Sequence, residues 1–134
     1  MMVSIEVSVG ELFDKITILR IKQNKLTDQD QLANVNKELE YLEDKAFSND
    51  PEVNALVEEL ESINEQLWDV EDELRVLESK ADFGQEFINK ARSVYFLNDE
   101  RAALKKAVNV LTGSTIVEAK SYIDYTVRGT DSQE

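Results

Sequence analysis

Residues 53–81 carry an unbroken apolar heptad pattern, and this feature constrains the fold of the chain more than any other. Apolar residues recur there at alternating steps of three and four, at Val53, Leu56, Leu60, Ile63, Leu67, Val70, Leu74, Leu77 and Ala81. This spacing places all of them on one face of a long helix. Such a helix depends on neighbours that cover its apolar face, so the rest of the chain is expected to pack against it.

A shorter heptad pattern precedes this stretch and predicts a helix over about 29–47. It consists of Leu32, Val35, Leu39, Leu42 and Ala46. Asp50 suits the N-cap and Pro51 the first position of the next helix, over about 51–81. Because only a short turn separates the two helices, we predict an antiparallel heptad hairpin. In that register the shorter helix ends opposite Leu67. The apolar heptad face of the longer helix, called its seam below, continues beyond Leu67, and the first helix, the later helices or a second subunit must cover that part.

Three further helices and two short strands complete the prediction. Ser8 and Glu11 fit a capping box at the start of a helix over about 9–26. A helix over about 85–112 either continues through Asn98 or breaks there, and we favour continuity because no Gly or Pro interrupts it. A short helix is predicted over about 115–121. Alternating residues allow strands at 2–8 and 122–128, paired within the chain or across a subunit boundary, and 129–134 is a polar tail. The predicted architecture is a single all-α domain, residues 1–134, forming an elongated helical bundle built on the hairpin.

Composition excludes several classes of function. The chain of 134 residues contains no cysteine and no histidine. Disulfide, thiolate and imidazole chemistry are therefore unavailable. The N-terminus does not resemble a signal peptide, and no stretch approaches the roughly 18 apolar residues of a membrane span, so we expect a cytoplasmic protein. The net charge is −13, and residues 38–82 hold 16 acidic against 3 basic residues. We therefore expect neither a nucleic-acid nor a membrane partner.

A group of polar residues forms the candidate site. Arg101 and Lys105 lie one turn apart, on a side of the helix that is apolar earlier in its length. Cations in such a position predict either a bound anion or ion pairs to the acidic long helix. The candidate cluster consists of Lys15, Arg92, Asn98, Asp99, Arg101 and Lys105, with Glu11, Asp14 and Tyr95 as supporting residues.

Acidic pairs three residues apart invite comparison with magnesium-dependent nucleotide pyrophosphohydrolases, which carry such pairs on helices. The pairs include Glu40/Glu43, Glu58/Glu61 and Asp69/Asp72. A chain with 28 acidic residues among 134 produces about as many pairs by chance. The heptad register also points several of these side chains away from the seam, whereas a metal site in a bundle needs inward carboxylates. We therefore expect no metal site and no cofactor.

Several sequence blocks resemble a known family. They are SVGELFDKITIL at 8–19, LWDVED at 67–72, ARSVY at 91–95, NDERAALKK at 98–106, GS at 113–114, IVE at 116–118 and KSY at 120–122. Over about residues 8–122 the chain resembles a family of small bacterial and phage proteins of unknown function. The resemblance implies no activity. The blocks do contain polar residues that apolar packing does not require, and these are the candidate residues given above.

Three functional interpretations remain at this point. The leading one is a non-enzymatic interaction or assembly protein, expected to form a homodimer through Trp68, Val70, Leu74 and Leu77. The alternative is a small helical enzyme or binding protein for an anionic metabolite, such as a phosphorylated sugar or a nucleotide. It requires a cleft in which Lys15, Arg92 and Arg101 converge without carboxylate partners. The third is the magnesium-dependent pyrophosphohydrolase. Whether the chain is an enzyme is open.

Overall fold

The computed structural model describes residues 1–46, 48–119 and 124–125, and the regular structure in these residues is entirely helical. The helices are α1 (Val9–Lys25), α2 (Gln29–Glu43), α3 (Pro51–Ser79) and α4 (Gln85–Thr112). The predicted all-α class is confirmed, and the bounds of these helices agree with the prediction to within four residues. Among the described residues, no helix is long and apolar enough to cross a membrane.

The helix ends follow the capping residues that the sequence contains. The Ser8 hydroxyl accepts a hydrogen bond from the backbone N–H of Glu11 at 3.0 Å. Asp50 caps α3 in the same way, with Pro51 in the first turn. Gly113 ends α4 in the left-handed conformation, at φ 64°, which glycine adopts without strain. The helix α4 passes through Asn98 without a break, as we favoured.

The central element of the packing is α1, not the hairpin predicted from the heptads. Helix α1 packs against α2, α3 and α4, whereas the backbone of α2 approaches neither α3 nor α4. The predicted pairing of α2 with α3 is therefore wrong. The physical reason is that α1 is apolar on two sides, so it separates the two heptad helices. Ile16 and Leu19 pack with Val35 and Leu39 of α2, and Phe13 lies in a second core between α3 and α4.

Helix α4 folds back along α3 and covers the far half of its apolar seam. Near the turn, Lys90 of α4 forms an ion pair with Glu73 of α3. Far from the turn, Leu104 of α4 and Ile63 of α3 line one groove. The two helices are therefore antiparallel neighbours. Leu77 is buried in this arrangement, and the seam beyond Leu67 is covered within the chain by a later helix.

The predicted terminal elements differ from the structure. Residues 1–7 have no regular structure and are exposed, so the predicted strand at 2–8 is wrong. A short alternating segment without a neighbouring strand edge has no partner for its backbone groups, and the packed elements here are all helices. Residues 115–119 are not helical, which contradicts the predicted helix over 115–121 for its described part. Three predicted segments lie outside the described residues. They are the end of this helix at 120–121, the strand at 122–128 except for residues 124–125, and the tail 129–134.

Candidate functional site

Asp14 of α1 is a buried carboxylate at the point where α1, α3 and α4 meet. The whole Asp14 residue is only 1% exposed. The guanidinium of Arg101 on α4 binds it with two hydrogen bonds, from Nε to Oδ1 at 2.9 Å and from Nη2 to Oδ2 at 2.5 Å. Asn64 of α3 donates its amide to Oδ1 at 2.9 Å and also reaches the Thr17 hydroxyl at 2.9 Å. One carboxylate therefore joins three helices.

A second ion pair lies beside this carboxylate. Lys105 Nζ is 2.5 Å from Glu11 Oε2 and 4.0 Å from Asp14 Oδ2. Its side chain is only 14% exposed. The six residues Glu11, Asp14, Thr17, Asn64, Arg101 and Lys105 are called the Asp14 network below. Its two carboxylates and two cations balance, so the network has no surplus positive charge to attract an anion.

The surroundings keep the Asp14 carboxylate ionised. Burial raises its pKa, but the hydrogen bonds from Arg101 and Asn64 and the charges of Arg101 and Lys105 outweigh burial, so the pKa lies below its ordinary value. The hydrogen bond to Asp14 in turn raises the pKa of Arg101. Both partners are charged at neutral pH, which suits a structural ion pair rather than an acid–base catalyst poised near pH 7.

The N-terminal end of α1 is anchored to the end of α4 by a close approach at Gly10. Its backbone N–H donates to Asn109 Oδ1 at 2.6 Å. A Cβ atom at this position would lie 2.5 Å from the carbonyl oxygen of Lys105, so the approach requires glycine. Asn109 also donates to Glu118 at 3.3 Å, and the Val9 N–H donates to the Ser114 hydroxyl at 3.1 Å. These contacts fix the register between the helices that carry the network.

The structure brings together four of the nine candidate residues, namely Glu11, Asp14, Arg101 and Lys105. The other five lie elsewhere. Lys15 is 3.6 Å from Glu38 of α2, and Arg92 is exposed on α4 with no ion pair in the described part of the chain. Asp99 accepts a hydrogen bond from the Tyr125 hydroxyl. Tyr95 is 63% exposed with its ring 6.0 Å from that of Tyr125, and Asn98 is half-buried in mid-helix.

The expected anion-binding cleft is therefore not formed by these cations. Lys15 and Arg101 are each paired with a carboxylate, on different sides of α1, and Arg92 does not join them. The expected ion pairs to the acidic long helix are also only partly found. Arg101 and Lys105 pair with α1, whereas Lys90 pairs with Glu73 of α3.

The residues expected at a dimer interface have places inside the single chain. Leu77 is 7% exposed, and Val70 and Leu74 are half-buried on the seam of α3. Trp68 is half-buried and lines a cleft with Leu26, the C-cap residue of α1, and Val35 of α2. The structure thus gives these residues a role in packing the monomer.

Sequence reasoning missed the residues that complete the network. Asn64 is a buried amide that directly follows Ile63 of the seam, and this polar residue beside an apolar row could have drawn attention. No such polar position beside an apolar row marks Thr17, Gly10 or Asn109 in the sequence. Among the residues that the structure describes, no group of three or more His, Cys, Asp or Glu side chains could hold a metal ion.

Comparison with known proteins gives a family and no activity. The chain has no significant match among curated proteins or among solved structures. The model of a family of unknown function, DUF6165, matches residues 2–133. This match spans almost the whole chain, including every residue of the Asp14 network. The chain therefore belongs to the family of unknown function DUF6165.

Proposed function

We propose that this protein is a non-enzymatic helical interaction module that binds a protein partner through the outer face of α4. The observation that carries the proposal is an apolar face on α4 that packs against no other helix in the described chain. An exposed apolar stretch on a helix is a candidate contact surface. The helical neighbours of α4 are α1 and α3, and on the remaining side Tyr125 packs against Phe96.

The positions of its side chains define this outer face. Arg101, Lys105 and Asn109 point to α1, as their hydrogen bonds establish. Leu104 lies toward α3, where it lines a groove with Ile63. The outer face contains Phe96, Ala103 and Val110, which are seven residues apart and so lie in one row. Ala103 also borders the groove that Leu104 and Ile63 line.

The exposure of this row favours a protein partner. Phe96 is 49% exposed although the Tyr125 ring packs edge-on against it at 5.2 Å, and Val110 is 72% exposed. Ala103, between them, is also exposed. The adjoining groove adds apolar surface from Leu104 and Ile63. Apolar surface that continues over several turns of a helix is typical of protein interaction sites, whereas scattered single residues are not.

The Asp14 network supports a structural role for the polar residues. Each of its charges is neutralised by another member, and the network lies under α1 rather than in an open cleft. The polar residues therefore hold α1, α3 and α4 in register, and this rigid arrangement presents the outer face of α4.

Photo-crosslinking tests the proposal in cells that produce the protein. A photoreactive phenylalanine analogue is introduced at Phe96 or, as a control, at Tyr41 on α2. The two positions are matched, because both are aromatic and their exposures are 49% and 48%. Irradiation is expected to give discrete protein adducts from position 96 and none from position 41. Adducts from both positions, or from neither, would contradict the proposal.

A further inference from the structure

We propose that the open cleft beside Trp68 binds a small molecule that carries a planar aromatic ring and an anionic group. The C-terminal half of α1, helix α2 and Trp68 of α3 form this cleft, and its volume is about 360 Å³. Small-molecule sites begin at about 300 Å³, so this volume fits a ligand of one or two rings. The cleft shares no residue with the outer face of α4, so this site stands or falls independently of the proposed function.

The inner wall of the cleft is apolar. Leu19 of α1 is 4% exposed and Val35 of α2 is 7% exposed, and Leu26 at the end of α1 is half-buried beside them. The backbone of α2 does not approach α3, and the side chain of Trp68 borders the gap. An aliphatic wall together with an indole favours a flat apolar ring. A hydroxyl-rich ligand would lose water from its polar groups there without gaining hydrogen bonds.

Trp68 has stacking and hydrogen-bonding capacity that the described chain does not use. It is half-buried, and its ring contacts no other aromatic ring among the described residues. Its indole N–H donates no hydrogen bond to them either. A buried tryptophan usually has such a partner, and aromatic pairs are stabilised beyond the area that they bury. An aromatic ring in the cleft would therefore cover the exposed part of the indole and supply the missing contact.

Lys22 supplies the positive charge for the anionic group. It lines the cleft, is half-buried, and its side chain forms no ion pair or hydrogen bond with the described residues. The other charged residue of the cleft, Glu38, is paired with Lys15 at 3.6 Å. The Lys22 ammonium is therefore free to form a charge-assisted hydrogen bond with a carboxylate or phosphate. The amides of Gln31 and Asn34 line the same cleft and can bind substituents of the ring.

Titration with phenylacetate tests the site in the full chain, because Trp68 is the single tryptophan and its fluorescence reports binding. This probe has one aromatic ring and one carboxylate, and it does not absorb where tryptophan alone is excited. With about ten non-hydrogen atoms, it is expected to bind saturably with a dissociation constant on the order of 1 mM. Phenylacetamide lacks the charge and cyclohexylacetate lacks the aromatic ring, so each is expected to bind at least about fivefold more weakly. No saturable change with phenylacetate, or a control compound that binds as tightly, would overturn the proposal.

Substitution of Lys22 shows whether the cleft is the place of binding. Lys22→Met keeps the length of the side chain and removes its charge, so it is expected to raise the dissociation constant of phenylacetate about five- to tenfold. Lys37→Met is the matched control, because Lys37 is an exposed lysine of α2 outside the cleft, without an ion pair to any described residue. This control is expected to bind as the native chain does. Unchanged affinity in Lys22→Met, or equal losses in the two variants, would overturn the proposal.

Nuclear Overhauser contacts locate the bound ring without relying on affinity. The ring protons of phenylacetate are expected to contact the indole of Trp68 and the methyl groups of Leu26 and Val35, which border the cleft. Contacts only to protons outside the cleft would overturn the proposal.

Discussion

Replacing Asp14 with asparagine is the most direct perturbation of the network that joins the helices. The side chain keeps its size but loses its charge, and its amide nitrogen would face the donors of Arg101 and Asn64. Breaking a buried ion pair costs about 3–5 kcal/mol. Arg101 is 31% exposed at its side chain, so water can solvate it once its partner is gone. We therefore expect Asp14→Asn to lower the free energy of unfolding by about 2–3 kcal/mol.

The assay is urea unfolding, followed by far-UV circular dichroism and by the fluorescence of Trp68, the single tryptophan. A domain of this size has a stability of about 5–15 kcal/mol, so the variant remains folded and measurable. Arg101→Gln is expected to cost about 3–4 kcal/mol, because it leaves the buried carboxylate with Asn64 and the more distant Lys105. The double variant is expected to cost about 2 kcal/mol less than the sum of the two, because both changes remove the same contact.

The pH dependence provides a second, independent readout. The pKa of Asp14 is lowered in the folded chain, so the unfolded chain binds this proton more readily and stability falls with acid. The contribution of Asp14 is complete above its unfolded pKa of about 3.9 and is lost as the pH falls through the folded value. The difference between the native chain and Asp14→Asn should therefore be full at pH 7 and shrink below about pH 4. A cost under about 0.5 kcal/mol at pH 7, or fully additive single variants, would refute the reasoning.

Three further substitutions and one control test the local arguments by thermal or urea unfolding. Gly10→Ala should destabilise by about 1–3 kcal/mol, because its Cβ would lie 2.5 Å from the backbone oxygen of Lys105. Gly84→Ala is the control, because a Cβ there meets nothing closer than 3.4 Å, and it should lower the stability by less than about 1 kcal/mol. Equal losses of stability for the two glycine variants would contradict the close approach at Gly10. Ser8→Ala should cost about 0.5–2 kcal/mol through loss of the N-cap bond, and no change would show that the cap is dispensable. Lys15→Ala should change stability by less than about 0.5 kcal/mol because its ion pair is exposed, and a large loss would reveal a role the structure does not assign.

Local features of the fold could be predicted because they depend on residues close together in sequence. Ser8, Asp50 and Gly113 act at the helix ends where capping chemistry places them. The helix bounds follow from these caps and from the apolar spacing. The partner of each apolar face could not be predicted in the same way, because a heptad pattern identifies a face and does not specify what covers it.

The arrangement of the helices depends on α1, which lies between α2 and the α3–α4 pair. The sequence of α1 indicates that it has two neighbours but does not identify them. Ile16 and Leu19 on one side and Phe13 on another indicate a helix with two neighbours. Nothing local states that those neighbours are α2 and the α3–α4 pair. The short connection between α2 and α3 favoured a hairpin, and the two-sided core of α1 outweighed it.

The candidate site was predicted in part for a similar reason. Polar residues that apolar packing does not require drew attention to Asp14 and Arg101, and the structure pairs them. Gly10 and Asn109 are 99 residues apart, and only the folded chain shows that they meet. Lys15 is a cation that apolar packing does not require, as Arg101 is, but its side chain lies toward Glu38 of α2. The direction of a side chain on a helix with several neighbours is a tertiary property.

The central claim, that the outer face of α4 is a protein interface, is tested most directly by photo-crosslinking from Val110, which is 72% exposed. A photoreactive residue at this position is expected to give discrete protein adducts in cells that produce the chain. The same residue at Val76 of α3, a valine that is 51% exposed, is expected to give none. Adducts from both positions, or from neither, would contradict the claim.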